Sequence, residues 1–187
     1  MKTITSLTFL LLALISCKNS KPKKTYQQSP NLESITGEEG EIVLIGHVNR
    51  ANRNLPEFQA WFKPEYENIK IPERWSANYL PLAENLEFNF FLGPWSGDTQ
   101  SELGVMFKLF DLPGRSEDRI EMYPVSEYKD SPLSYEKEFD ILNIPTLIFI
   151  EDGNELNRIV EFSVESLVKN FRKIFNKLPY EDLYVDF

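Results

Sequence analysis

Ser96 and Thr99 stand where a hydroxyl group is best placed to do chemistry in this sequence. They follow an apolar strand pattern at 86–92 and a Gly-Pro-Trp turn at 93–95, and a helix is predicted to open between them. A helix N-terminus presents free N–H groups and a positive dipole end, which stabilise an anion. A serine at this position is placed like an activated nucleophile, but its hydroxyl is not acidic enough to ionise readily. It therefore attacks a substrate only with help from a general base.

His47 is the only histidine and therefore the only candidate imidazole base. A Ser96–His47–Asp98 triad can be drawn, but no local motif such as Gly-x-Ser-x-Gly surrounds the serine. His47 lies near the end of a predicted strand, where we expect it to make ordinary hydrogen bonds. The alternative for Ser96, Asp98 and Thr99 is structural, because each is a residue type that caps helix N-termini. The residues by themselves leave both interpretations open.

Acidic pairs elsewhere in the chain are Glu38–Glu39, Glu136 with Glu138, and Glu181–Asp182. No histidine or further aspartate stands at ligand spacing around them, so we expect no metal site. No glycine-rich loop suited to phosphate is found, and we expect no cofactor. The 187 residues carry a net charge of −9, which argues against nucleic acid as a partner.

The elements that must position these residues alternate between strand and helix, which indicates the α/β class. Strand patterns lie at 41–48, 86–92, 119–124, 145–151 and 155–162. Helix patterns lie at 57–62, 76–85, 99–112 and 164–178, with a short helix within 132–140. Asp152-Gly153 is a favoured two-residue turn and predicts a hairpin between the last two strands.

Two helix boundaries are predicted from local signals. The first helix is expected to end before Pro64, and residues 63–75 are expected to be mostly loop, because proline breaks a helix interior. Thr99 and Glu102 match the spacing of a capping box, Thr-x-x-Glu, so the helix after the Gly-Pro-Trp turn is expected to begin near Thr99.

Two motifs resemble the thioredoxin superfamily over roughly residues 41 to 177. In that superfamily a strand ends in Trp-Cys-x-x-Cys, and the first cysteine sits at a helix start. Here Trp95 is followed by Ser96 and Thr99 at the two cysteine positions. The segment Asn143-Ile144-Pro145-Thr146 resembles the cis-proline strand that faces the active site. The resemblance implies a mixed central sheet with helices on both faces, and a cis bond before Pro145.

The chain is more specifically similar to thioredoxin-family proteins of Bacteroidetes. The similarity is carried by Trp61-Phe62 with Tyr66, Gly-x-Trp-x-x-Asp at 93–98, Ile-Pro-Thr at 144–146, and the segment 158–162. Many of those proteins have Trp-Cys-x-Asp-Ser or Trp-Cys-x-Asp-Cys in the active loop. This chain keeps Trp95 and Asp98 but lacks both sulfur atoms, which implies that dithiol activity is lost. The resemblance leaves a groove for an extended peptide, formed by Trp95, Ser96, Gly97, Asp98, Thr99, Ile144 and Pro145.

The N-terminus has the features of an export signal. Lys2 precedes the apolar run 9–15, which is too short to span a bilayer as a stable helix and is typical of a secretory signal. Leu14-Ile15-Ser16-Cys17 resembles a bacterial lipobox, which implies cleavage before Cys17 and its acylation. Cys17 is the only cysteine, so the mature chain would have no thiol for disulfides or thiol–disulfide exchange.

The sequence therefore predicts a signal peptide at 1–16, a lipidated cysteine and flexible tether at 17–40, a thioredoxin-like domain at 41–178 and an acidic, aromatic tail at 179–187. The expected function is binding of a protein or peptide partner by an envelope lipoprotein held in the membrane through Cys17. Lys18, with no acidic run directly after Cys17, favours the outer membrane with the domain facing the periplasm. The alternative is a thioredoxin-family oxidoreductase or isomerase-type protein that takes part in envelope redox homeostasis.

Overall fold

The computed structural model describes residues 32–36, 40, 42–46, 48, 52, 54–71, 74, 85–111, 119–131, 134–161 and 166–181. The predicted lipobox with Cys17, His47, the predicted helix up to residue 84 and the tail after residue 181 lie outside this part. The elements are β1 (Glu33–Thr36), β2 (Ile42–Ile45), α1 (Pro56–Asn68), β3 (Leu86–Leu92), α2 (Gly97–Phe110), β4 (Ile120–Pro124), α3 (Tyr135–Glu138), β5 (Thr146–Glu151), β6 (Asn154–Val160) and α4 (Leu167–Phe175).

A mixed four-stranded sheet with the order β4-β3-β5-β6 forms the centre of the fold. β3 is parallel to β4 and antiparallel to β5, and β5 is antiparallel to β6. A parallel pair of strands needs a crossover connection, and α2 lies in the connection between β3 and β4. The antiparallel strands β5 and β6 are joined directly by a tight turn. The predicted α/β class with a mixed sheet flanked by helices is confirmed.

The hairpin between β5 and β6 turns at Asp152 and Gly153, as the sequence predicts. Both residues have positive φ angles, 53° and 79°, which is the backbone that a two-residue hairpin turn requires. The pairing shifts by one residue between Phe149 and Ile150, so the ladder contains a bulge there. The turn nevertheless fixes which face of each strand points to the core.

The main core lies between one face of the sheet and the helices α1, α2 and α4. Phenylalanine rings from each element meet there: Phe62 with Phe107 at 5.3 Å between ring centroids, Phe88 with Phe110 at 4.8 Å, and Phe149 with Phe171 at 5.1 Å. All three pairs are edge-to-face, a favoured geometry for aromatic rings. Ring contacts thus join α2 and α4 to the sheet and α1 to α2.

Helix α1 continues through Pro64 to Asn68, so the predictions of a helix end before Pro64 and of a loop from residue 63 are wrong for residues 63–68. A proline inside a helix costs about 3 kcal/mol. The packing of α1 on α2 offsets that cost. Phe62 stacks on Tyr66 at 5.6 Å, and Gly104 of α2 lies so near α1 that a Cβ atom there would come within 3.3 Å of the Glu65 Cβ.

A second cluster lies on the opposite face of the sheet, where α3 packs. Its buried members are Phe91, Val125, Ile141, Ile144 and Ile148, and Trp95, Tyr123, Tyr135, Phe139 and Ile150 pack against it half-buried. β3 therefore has both faces covered, which explains why its sequence is an almost continuous apolar run.

The N-terminal strands form a separate two-stranded sheet. β1 pairs antiparallel with β2, and all four β1 residues are exposed. The tether predicted for residues 17–40 therefore does not hold for residues 33–36, whose short alternating pattern is stabilised by pairing that local composition does not reveal. Beyond β2, the Val48 N–H donates to the Met122 carbonyl at 3.2 Å, which ties this sheet to the edge strand β4. In the described part of the chain, no helix has the length and apolar character to span a membrane.

Candidate functional site

Two loops that are distant in the sequence meet at the second cluster. The turn after β3 contributes Trp95, and the loop before β5 contributes Ile144, and both side chains pack into the same group of apolar residues. The Ile144–Pro145 peptide bond is cis, which confirms the prediction for that bond. The structure thus brings together the two motifs that the sequence singles out.

The Gly93–Trp95 turn holds the indole of Trp95 in one place. A Cβ atom on Gly93 would lie only 2.5 Å from the Trp95 Cε2, so glycine is needed there for the ring to fold back over its own turn. The Trp95 Nε1–H donates to the Val125 carbonyl at 3.2 Å, and the Val125 N–H donates to the Leu92 carbonyl at 2.9 Å. The indole is therefore fixed against the residue that follows β4.

Ser96 is the N-cap of α2, so its structural interpretation is confirmed. Its Oγ accepts a hydrogen bond from the Thr99 N–H at 3.3 Å, and its carbonyl accepts from the Gln100 N–H at 3.0 Å. The capping box predicted from Thr99 and Glu102 is wrong, because α2 begins at Gly97. The N-cap position falls to Ser96 because that residue, with extended backbone angles, already directs its hydroxyl at the first turn.

Thr99 has an internal role as well. Its side chain is fully buried, and its Oγ1 accepts a hydrogen bond from the Gly93 N–H at 3.3 Å. Gln100 also links the helix to the turn, because its Nε2 donates a hydrogen bond to the Pro94 carbonyl at 2.9 Å. The hydroxyls of Ser96 and Thr99 therefore both stabilise the turn and the helix start.

The predicted groove residues differ in their exposure. Gly97 and Asp98 are exposed and Trp95 is half-buried, whereas Ser96, Thr99, Ile144 and Pro145 are buried. Asp98 lies in the first turn of α2, where a carboxylate interacts favourably with the helix dipole. The side chains of the predicted groove that reach the surface are therefore those at the start of α2 and the edge of the indole, while Ile144 directs its side chain into the cluster.

The loop before Pro145 is braced from two sides. The Thr146 Oγ1–H donates to the Asn143 carbonyl at 2.7 Å, and the Glu161 N–H donates to the Pro145 carbonyl at 2.7 Å. A pocket lined by Phe90, Met106 and Pro145 adjoins it, with a volume of about 10 Å³. That space is close to what a single water molecule needs.

Tyr123 is the ionisable group of this face whose pKa departs most clearly from its ordinary value. Its ring stacks on Phe91 at 4.8 Å and lies 4.9 Å from the ring of Tyr135. Burial, together with smaller contributions from the nearby Glu121, Tyr135 and Glu138, raises the pKa of Tyr123 from 10.0 to about 12. The phenol is therefore protonated at neutral pH and acts as a packing residue of the cluster.

Sequence reasoning missed the contact that joins this site to the loop after β4. The Lys129 Nζ donates to the Asn143 Oδ1 at 2.7 Å, which links residue 129 to the residue before Ile144. Asn143 stood within the motif that the sequence pointed to, but nothing in the sequence indicates its partner. Tyr128 and Leu142, next to these two residues, are strongly exposed.

Two further sequence predictions have different outcomes. His47 lies outside the described residues, so the Ser96–His47–Asp98 triad remains a hypothesis. Among the residues that the structure describes, no group of three or more histidine, cysteine, aspartate and glutamate side chains is arranged to hold a metal ion. No protein-family model matches this chain, and no curated protein matches it.

Proposed function

We propose that this protein is a lipid-anchored envelope protein whose thioredoxin-like domain binds an extended segment of a partner protein. The observation that carries the proposal is the meeting of the Trp95 turn with the Ile144–Pro145 loop at one cluster. The mixed sheet with a parallel β3–β4 pair and an antiparallel β5–β6 hairpin is compatible with a thioredoxin-like fold and supports it. The binding surface consists of the exposed start of α2, the edge of Trp95 and the backbone of the Ile144 loop.

The Ile144 backbone supports a binding mode based on main-chain hydrogen bonds. Within the described part of the chain, neither its N–H nor its C=O has a hydrogen-bond partner, although the residue is only 5% exposed. Backbone groups in such positions are nearly always paired in native proteins. An extended peptide lying along this loop would pair with them, as in strand addition to the edge of a sheet.

A binding role is better supported than the alternative of an oxidoreductase or isomerase. Ser96 is 9% exposed and its hydroxyl caps α2, and the Thr99 hydroxyl accepts a hydrogen bond from the Gly93 N–H. Neither group replaces the thiolate on which disulfide exchange depends. The sole cysteine, Cys17, belongs to the proposed lipid anchor.

Gly97→Arg in the full chain tests the binding surface. A Cβ atom at Gly97 meets nothing within 4 Å, so the substitution leaves the fold intact and places a long side chain over the start of α2. With reduced, alkylated insulin B chain as an extended probe, we expect the affinity to fall about ten-fold, measured by fluorescence anisotropy. Ser101→Arg, which adds the same charge at an exposed position further along α2, is the control and should bind normally. Equal binding by Gly97→Arg and the unmodified chain would contradict the proposal.

The loss of dithiol activity is tested by restoring the sulfur atoms. The chain with Cys17→Ser should not reduce insulin disulfides in the presence of dithiothreitol, whereas the same chain with Ser96→Cys and Thr99→Cys should. The helix N-terminus lowers the pKa of a thiol at its cap and thereby favours the reactive thiolate. Turnover by the chain that lacks cysteine would overturn the argument from the missing sulfurs.

The proposed location is the outer membrane, facing the periplasm, with Cys17 as the anchor and Lys18, without an acidic run, directly after it. Metabolic labelling with radioactive palmitate should mark the natural chain and leave Cys17→Ser unlabelled. Labelling of both chains would contradict anchoring through this cysteine.

A further inference from the structure

Tyr128 is presented to solvent by a tightly closed loop after β4. Its side chain is 74% exposed. The Ser126 N–H donates to the Asp130 carbonyl and the Lys129 N–H donates to the Ser126 carbonyl, both at 2.9 Å, while the Ser126 hydroxyl donates to the Asp130 carboxylate. The Tyr128 N–H in turn donates to the Ser126 Oγ at 3.1 Å. The aromatic side chain therefore sits on a loop that needs little ordering when a partner binds.

Leu142 lies on the neighbouring loop and is 69% exposed. The hydrogen bond between the Lys129 Nζ and the Asn143 Oδ1, 2.7 Å long, joins the residue after Tyr128 to the residue after Leu142. Tyr128 and Leu142 are the two most exposed large apolar side chains in the described part of the chain. Their loops are thus held side by side, at the place where the loop before Pro145 begins.

The surroundings of these two side chains are acidic. Asp130 and Asp140 are exposed on the same two loops, and Glu138 is exposed at the end of α3. The basic residues of these segments are Lys129, whose ammonium group is engaged with Asn143, and the exposed Lys137 of α3. The Arg158 guanidinium donates to the Phe139 and Asp140 carbonyls, but its charge is paired with Glu155. Lys129 and Asp140 also have positive φ angles, 60° and 50°, a backbone that residues other than glycine adopt mainly as single residues in turns.

We propose that Tyr128, Leu142, Asp130 and Asp140, hereafter the Tyr128–Leu142 surface, extend the peptide groove and select a partner segment that combines apolar with cationic side chains. This inference rests on the proposed function. The continuity is structural, because the Val125 carbonyl that holds Trp95 begins the first loop and Asn143 directly precedes Ile144. Tyrosine is enriched among the residues that dominate binding energies, and the carboxylates add charge complementarity.

The same charges disfavour two other occupants of the surface. Anionic lipid headgroups attract basic segments and repel carboxylates, so a membrane surface does not fit. A second copy of this chain would bring the same acidic surface against itself in a two-fold contact. A basic, apolar partner is the occupant that both the exposed side chains and the local charge favour.

The test uses the full chain and a short peptide in which leucine alternates with lysine, together with a peptide in which glutamate replaces lysine. We expect the chain to bind the lysine peptide and not the glutamate peptide. Asp130→Asn and Asp140→Asn should each weaken it about three-fold, since each removes one exposed charge pair, and added salt should weaken it further. Asparagine retains an acceptor for Ser126 at position 130 and tolerates positive φ at position 140, so both variants keep the loops folded.

Asp152→Asn is the matched control for Asp140→Asn, because Asp152 is an exposed aspartate with a φ of 53° in the β5–β6 turn, away from the surface. It should bind the lysine peptide normally. Equal weakening by Asp152→Asn and Asp140→Asn would show attraction by net charge alone and would overturn the inference. Equal binding of the glutamate peptide would overturn it too.

Tyr128→Ser and Leu142→Ser separate this inference from the proposed function. Each should weaken the lysine peptide about ten-fold, whereas Leu178→Ser, at a side chain that is 47% exposed elsewhere, should have no effect. If Gly97→Arg abolishes binding while Tyr128→Ser and Leu142→Ser do not, the groove stands and the Tyr128–Leu142 surface is rejected. If only the two serine variants weaken binding, the surface stands as a site of its own and the groove is rejected.

Discussion

The two faces of the central sheet are built differently. On one face, three helices cover a large cluster of buried apolar side chains such as Phe88, Met106 and Phe107. On the other face, the short helix α3 and two loops cover a smaller cluster, and half-buried residues such as Trp95 and Phe139 reach the surface. The first face supplies stability, while the second exposes loops whose conformation is fixed by side-chain hydrogen bonds. The candidate functional residues therefore lie on the second face.

The largest expected effect is a difference between two phenylalanines, one on each face. Phe107→Ala should lower the free energy of unfolding by about 3–5 kcal/mol, because its ring is 1% exposed and its loss leaves a cavity beside Phe62. Phe139→Ala should cost only about 2 kcal/mol, since its ring is partly exposed. Urea unfolding followed by circular dichroism measures both. Equal losses would show that the two faces contribute alike to stability.

Tyr123, on the second face, should make the free energy of unfolding depend on pH in alkaline solution. Its pKa is raised from 10.0 to about 12 in the folded chain, so the unfolded chain loses the phenolic proton first as the pH rises above 10. The contribution is fully present below pH 10, and the free energy of unfolding should fall by roughly 2 kcal/mol, a value reduced for solvent screening, as the pH approaches 12.

Tyr123→Phe provides the reference for that measurement, because other groups also titrate in alkaline solution. The stability of the natural chain relative to this variant should decline through the interval, and a constant difference would contradict the raised pKa. Chemical unfolding at a series of pH values gives both curves.

The smallest expected effect on the free energy of unfolding comes from removing either of two helix caps. Ser96 and Ser166 make the same capping hydrogen bond, in which the Oγ accepts from the backbone N–H three residues later at 3.3 Å. Ser96→Ala and Ser166→Ala should each cost about 1 kcal/mol in thermal or urea unfolding. Ser96→Ala should leave binding of the insulin B chain unchanged. Loss of binding with stability unaltered would instead indicate that the Ser96 hydroxyl contacts the partner.

Much of the central sheet was predictable because its signals are local. The apolar run of β3 and the Asp152-Gly153 turn specify a buried strand and a hairpin by themselves, and both are found as expected. The continuation of α1 through Pro64 was not predictable. It depends on contacts with Gly104 and Phe107, which are distant in the sequence and outweigh the local cost of proline.

The site was predictable only in part. The resemblance to the thioredoxin superfamily pointed to the Trp95 turn and the Ile144–Pro145 segment, and the residue types allowed Ser96 to be a cap. Spacing could not show that Ile144 is buried, because exposure depends on which side chains arrive from β4 and α3. The pairing of Lys129 with Asn143 was equally hidden, since two exposed polar residues in separate loops have no pattern that relates them.

The sequence by itself determined the class of fold, the positions of the central strands and the absence of a second cysteine. These follow from residue type and local periodicity, which act over a few positions of the chain. Only the tertiary structure decided that the hydroxyls of Ser96 and Thr99 stabilise the helix start, and that Tyr128 and Leu142 stand on adjoining loops. The reason is physical: a side chain's role depends on the partners and the solvent around it, and the packing of distant segments fixes both.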